Sequence, residues 1–237
     1  MGHYVKASTT SERRLPEISS IKCEPFIIDI EGLPGNLQTF LQAKVLIVNI
    51  PSKNIDAFRN LVKEIDKSEI EKVLFVSSTS VYEDNNKTIS ESDGEESTTS
   101  PLLTIEKLFR NCKKIKTTII RFGGLIGYSR NPGRFFSKGR FVSNPDANVN
   151  LIHRDDCIEI ITQIIEQEVW GEVFNCCADT HPTKREFYSQ AAKAMGGLTP
   201  KFASSGTTSF KIISNHKLKH FLNYKFLHPD LMKIEFD

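Results

Sequence analysis

Long apolar runs are scarce in this chain. The longest purely apolar stretches, such as Val45-Leu46-Ile47-Val48, last a few residues, whereas a membrane span needs about 20 and the apolar part of a signal peptide about 7–15. A cytoplasmic protein without a membrane partner is expected. An excess of one charge is also missing: 31 Lys+Arg against 29 Asp+Glu leaves a formal +2, too weak a field to argue for nucleic acid. The five cysteines (Cys23, Cys112, Cys157, Cys176 and Cys177) are odd in number and lack C-x-x-C spacing, which speaks against a disulfide framework or a zinc ribbon. Cys176 and Cys177 sit in an apolar run where small thiols pack. His216 and His220 have i, i+4 spacing, but no H-E-x-x-H pattern or nearby carboxylate completes a zinc site, so no metal is expected. Among thirteen glycines there is no G-x-G-x-x-G.

The 237 residues, 39% hydrophobic and 25% charged, are enough for one large domain or a domain with a small lobe, and wholesale disorder is excluded. Short apolar runs read as strands at Tyr4–Ala7, Pro25–Asp29, Val45–Ile50, Val73–Ser77, Thr118–Phe122 and Val173–Cys177. Helical patterns lie between them at roughly 11–20, 54–67, 101–113, 154–168 and 184–195, the third opened by Ser100 and Pro101. Runs apolar on both faces suit a parallel sheet covered on both sides. The alternation predicts a doubly wound α/β fold, with a Rossmann-like region over 1–143 and the last sheet elements and a small C-terminal lobe over 144–237. The acidic, Ser/Thr/Asn-rich stretch Glu83–Ser100 is expected to be an exposed loop, with a lid role as the alternative.

Three stretches together resemble the extended short-chain dehydrogenase/reductase family, which includes NAD-dependent epimerases and dehydratases. They are Val76-Ser77-Ser78-Thr79-Ser80-Val81-Tyr82, Arg121-Phe122-Gly123-Gly124-Leu125-Ile126-Gly127-Tyr128, and Val149 to Asp156 with its I-H-x-x-D pattern. Ser8 to Ser11 (S-T-T-S) and Asn131 to Phe136 (N-P-G-R-F-F) are similar to an atypical bacterial branch. The resemblance covers nearly the whole chain and implies that Ser78 polarises a substrate oxygen and that Ser77, Phe122 and Gly123 border the cofactor. Thr79, Tyr82 and His153 fall on the substrate side.

Two departures stand out. The family's opening strand, glycine-rich phosphate turn and first helix are missing from the pattern, because Gly2-His3-Tyr4-Val5 resembles the point where that helix ends. A late start or truncation and a real loss of pyrophosphate binding are the two readings. The absence of a central strand and helix would cost on the order of 10 kcal/mol of burial against a net stability of about 5–15 kcal/mol, so marginal stability is expected, with a rise in melting temperature if upstream coding sequence is restored. Second, family enzymes carry Tyr and Lys four residues apart on one helix face, where the ammonium lowers the phenol pKa. Counted from Pro101, these positions fall on Ile105 and Phe109.

By the resemblance, Ser8, Thr9 and Arg13 would meet the cofactor ribose, and hydroxyls with a guanidinium lean toward NADP over NAD. An ordinary helix start explains them equally well. Asp29 matches a position near the adenine and reads equally as a turn residue. Asn49, Ile50 and Pro51 would border the ribose. Arg130, Arg134, Lys138 and Arg140, interleaved with Phe135 and Phe136, suit a phosphate or diphosphate on a substrate such as a nucleotide sugar, with a solvated basic loop as the alternative. The expectation is an NAD(P)-binding, epimerase-like protein acting on a small molecule, with a homodimer left open. The alternative is a non-catalytic binding homologue or a remnant.

Overall fold

The computed structural model describes residues 2–32, 35–136, 141–204 and 209–235. The chain forms two compact units, Met1–Phe75 with Pro101–Thr117, and Val76–Ser100 with Thr118–Asp237.

In the first unit β1 (Lys6–Thr9), α1 (Leu15–Ser20), β2 (Glu24–Ile27), α2 (Leu37–Phe40), β3 (Val45–Val48), α3 (Ile55–Asp66) and β4 (Lys72–Ser78) follow in turn, and α4 (Pro101–Arg110) completes it. Only Lys72–Phe75 of β4 belong to this unit. β1 pairs in parallel with β2, Lys6 opposite Glu24 through Thr9 opposite Ile27. β3 pairs in parallel with β4, Val45 opposite Lys72 through Val48 opposite Phe75. Parallel neighbours need a crossover, and α1 and α3 supply it. Asn54 starts α3 by accepting hydrogen bonds from the Asp56 and Ala57 amides, 3.1 Å each, which would otherwise be unsatisfied. Ala57, Phe58, Leu61 and Ile65, spaced three or four apart, are the residues it buries. Phe58, Phe75 and Phe109 form the centre of this core, with ring centroids 4.9–6.1 Å apart.

The second unit holds β5 (Lys87–Ile89), most of β6 (Lys116–Phe122), β7 (Gly124–Ile126), β8 (Leu151–His153), α5 (Arg154–Glu166), β9 (Val173–Cys176), α6 (Lys184–Ala194), β10 (Lys211–Ile213) and α7 (His216–Leu222). β6 pairs in parallel with β9, Ile119 opposite Val173 through Phe122 opposite Cys176. Thr183 and Glu186 form a capping box at the start of α6. Ile126, Val149, Leu151, Ala178, Phe187 and Leu231 pack into one apolar cluster.

The α/β alternation expected from the sequence is present. The stretch Glu83–Ser100 departs from the expected exposed loop. Residues 87–89 form β5 and pair in parallel with β10, and Ile89 is fully buried. The acidic side chains are used internally: Glu95 accepts from Asn85 and Lys87, and Asp93 accepts from the Ser90 amide, 2.7 Å. A three-residue strand whose partner lies more than a hundred residues away leaves almost no local pattern. Among the described residues no helix is long and apolar enough to cross a membrane.

Candidate functional site

In the first unit a cavity of about 340 Å³ lies between β1 and β3, lined by residues 6–8 of β1 and 46–50 in and after β3. Both strands stand at the edge of their sheets. Leu37, Phe40 and Leu61 add to an apolar wall, and Ser8 and Asn49 bring polar groups. Of the residues assigned to the cofactor, Ser8, Asn49 and Ile50 therefore share one cavity. The others are elsewhere. Thr9 Oγ1 accepts from the Ser11 amide, 3.1 Å. Arg13 lies in an exposed 3-10 turn over Glu12–Arg14, and Pro51 is exposed beyond the strand end. Asp29 Oδ1 accepts from the Glu31 amide, 2.9 Å, which is the turn role.

Also in this unit, Ile105 and Phe109 are both fully buried in α4. Phe109 lies against Phe58 and Phe75. The face of α4 that carries Ile105 and Phe109 is therefore part of the core. Glu106, on the same helix, is fully buried as well, and the sequence reading passed over it.

In the second unit the end of β4 carries Ser77, which is buried, and Ser78, which is half-buried. Ser78 Oγ accepts from the Ser80 amide, 3.1 Å, and so caps the 3-10 turn Thr79–Val81. That turn sends Tyr82 inward, where it is 3% exposed. The Tyr82 hydroxyl donates to Asn175 Oδ1, 2.9 Å, and accepts from Arg121, 2.5 Å. Arg121, itself fully buried, also donates to Glu96 Oε1 at 2.7 Å and lies over the Tyr82 ring with its guanidinium 4.9 Å from the centroid. Burial pushes the Tyr82 phenol up to about 12, against the opposing pull of Arg121, so it stays protonated at neutral pH. Glu91 accepts from the Asn175 amide, 2.6 Å, and burial raises its pKa. Asn175 Nδ2 is buried without a hydrogen-bond partner among the described residues.

Sequence reasoning did not single out Arg121 or Asn175 as buried groups, nor Glu96 as a partner. A signal was present for two of them: Arg121 interrupts Ile119-Ile120 and Phe122, and Asn175 interrupts Phe174 and Cys176-Cys177. A polar residue inside a strand apolar on both faces must find partners or be costly.

Phe122 and Gly123 pass close to β9 and β8. The Gly123 amide donates to the Cys176 carbonyl, 2.9 Å, and a Cβ on Gly123 would meet the Asn150 carbonyl oxygen at 2.6 Å. His153 accepts from the Asp155 amide, 3.3 Å, and caps α5. Arg130 and Arg134 are exposed, with Arg130 Nε donating to the Leu125 carbonyl, 3.0 Å. Phe135 and Phe136 pack on Tyr188 of α6 with centroids 6.4 and 4.8 Å away, so packing accounts for these aromatics. Lys138 and Arg140 lie outside the described residues.

No family model matches the chain. Protein YeeZ of Escherichia coli (strain K12) is 30% identical over 207 residues, covering 82% of this chain and 75% of YeeZ. The chain belongs to the YeeZ family. Its fold is that of the extended short-chain dehydrogenase/reductases. MoeE5, solved with UDP-glucuronic acid and NAD, superposes with a TM-score of 0.74 at 16% identity, covering 97% of this chain and 96% of that one. A UDP-glucuronic acid 4-epimerase variant from Bacillus cereus, solved with a fluorinated UDP-sugar and NAD, gives 0.74 at 20% identity, covering 97% and 85%. Within this fold the YeeZ-family chain keeps the parallel strands. It fills the Ile105/Phe109 face with core.

Proposed function

We propose that the protein binds a nicotinamide dinucleotide, and that its second ligand is a small phosphorylated metabolite of the nucleotide-sugar class. The observation that carries this reading is the meeting of Ser8, Asn49 and Ile50 in one cavity that runs along β1 and β3, with Asn49 and Ile50 just past the carboxyl end of β3, the end at which open α/β sheets bind ligands. The solved neighbours with NAD and UDP-sugars support it. By the resemblance, the hydroxyls of Ser8 and Thr9 and the Arg13 guanidinium that follows them in sequence favour a 2′-phosphate, hence NADP.

In this reading Asn49 and Ser8 bind the dinucleotide by hydrogen bonding, and Ser78 is the residue that the resemblance assigns to polarising a substrate oxygen. The nicotinamide, when bound, supplies hydride chemistry. Tyr82 does not act as a base at neutral pH, because burial holds its phenol protonated and its hydroxyl is engaged by Asn175 and Arg121. A second reading, binding without turnover, is favoured by the buried Ile105 and Phe109.

Calorimetric titration of the protein with NADPH and NADH tests the first step. Micromolar binding weakened about tenfold by Asn49→Ala, a loss of roughly 1.4 kcal/mol, is the expected result; no heat with either dinucleotide refutes it. If binding is found, a change in nicotinamide absorbance with UDP-sugars separates turnover from binding alone.

A further inference from the structure

At the start of α5 three donor atoms of different residues converge. His153 Nδ1 and His228 Nε2 stand 3.4 and 3.3 Å from the same carboxylate oxygen, Asp155 Oδ2, and all three donors lie within 4.8 Å of one another. With Zn–N and Zn–O bonds of about 2.0–2.1 Å, adjacent ligands of a tetrahedral ion are about 3.3–3.4 Å apart. Two of the three separations already have that value, and the third is within 4.8 Å.

Each donor is also held from outside the cluster. Tyr128 donates to the other carboxylate oxygen, Asp155 Oδ1, 2.8 Å, which leaves Oδ2 facing the two rings. His228 is brought in by its backbone: its amide donates to Asp156 Oδ2, 3.1 Å, and the Leu227 amide and the Tyr224 hydroxyl donate to Oδ1 of the same buried carboxylate, 2.7 Å each. Gly127 has φ +103°, and a Cβ there would lie 2.3 Å from His153 Nε2. That edge of the ring is thus against backbone, so the ligand must be Nδ1, which exchanges the 3.3 Å bond it accepts from the Asp155 amide for the ion. Partners that fix ligand orientation in this way are usual around metal sites. The side chains of His153, Asp155 and His228 are 9%, 33% and 30% exposed, so the cluster opens to solvent on one side and a water can complete the shell.

We propose that His153, Asp155 and His228 form a binding site for a divalent transition-metal ion, with zinc the best match to two imidazoles, one carboxylate and an open fourth position. The competing arrangement is a purely hydrogen-bonded His–Asp–His group. His216 and His220, stacked with centroids 6.2 Å apart on α7, are a second place where added zinc can bind, so they serve as the control.

The experiment is calorimetric titration of the full chain, stripped with a chelator, with zinc chloride, in wild type and in His228→Gln, Asp155→Asn and His216→Ala/His220→Ala, each checked for folding by circular dichroism. The expected result is one equivalent of zinc bound by wild type and by the α7 double variant, with affinity at least tenfold lower in His228→Gln and in Asp155→Asn. Cobalt(II) in the same site would show the intense visible absorption of tetrahedral coordination. No stoichiometric zinc binding by wild type overturns the proposal, as does binding unchanged in a folded His228→Gln or Asp155→Asn. Loss of binding in the α7 double variant alone overturns it too.

Discussion

A lysine at position 109 would stand where the resemblance to the short-chain dehydrogenase/reductases puts one half of their Tyr/Lys pair, and the structure says it should unfold the protein rather than activate it. Phe109 is fully buried and in ring contact with Phe58 and Phe75. Removing a buried phenylalanine side chain costs about 3–5 kcal/mol. An ammonium left in the same place without a partner adds several kcal/mol of desolvation. Together these approach the about 5–15 kcal/mol by which a domain is stable. Phe109→Lys should therefore lose cooperative thermal unfolding or melt at least 15 °C below wild type, since about 1 kcal/mol corresponds to 2–4 °C at this size. The control is Lys107→Ala, on the exposed side of the same helix, with an expected change within about 0.5 kcal/mol. Differential scanning calorimetry of the two variants decides the matter. A Phe109→Lys protein that unfolds cooperatively within about 5 °C of wild type would refute the reasoning.

Three further outcomes are expected. Gly127→Ala puts a side chain on a backbone at φ +103° and into His153, and should lower the urea midpoint by the equivalent of about 2 kcal/mol or more. Cys23 and Cys112 are partly exposed, whereas Cys157, Cys176 and Cys177 are buried with burial as the main cause of their raised pKa values; a thiol reagent should titrate two groups in the native protein and five after denaturation. His181 is held below its ordinary 6.5 by burial, with its ring against the Val149 carbonyl opposing. Its unfolded form takes up a proton first as pH falls, so stability present above about 6.5 is lost on acidification through the folded pKa, and His181→Gln should flatten the fall of the urea midpoint between about pH 7 and pH 5.

Much of the fold is legible because each long element has its own periodicity. The α3 pattern of Ala57, Phe58, Leu61 and Ile65 is a helix face in sequence and in space. The two-faced apolar runs at 45–48 and 73–75 become neighbouring parallel strands. β1 begins later than expected, at Lys6 rather than Tyr4, because Tyr4 and Val5 are exposed. What escaped were elements whose reason lies far along the chain: β5 exists through β10. The site shows the same limit. Ser8 and Asn49 could be placed by resemblance, but Arg121 holds Tyr82 and Glu96 across 39 and 25 residues. His228 meets Asp155 across 73. No local pattern encodes such distances.

The carboxylate of Asp156 does for the end of this chain what a disulfide does elsewhere, without an oxidant. Its first contact, to Tyr224, closes a ring of 68 residues, and ring-closure entropy grows only with the logarithm of length. Once that ring exists, the bonds to Leu227 and His228 fall within four residues of the closure and add almost no further ordering cost. The segment after α7 is therefore held by a three-point knot. It should let go of the rest of its unit in one event, with the amides of residues 227 and 228 exchanging together, and it should do so equally in oxidising and reducing buffer.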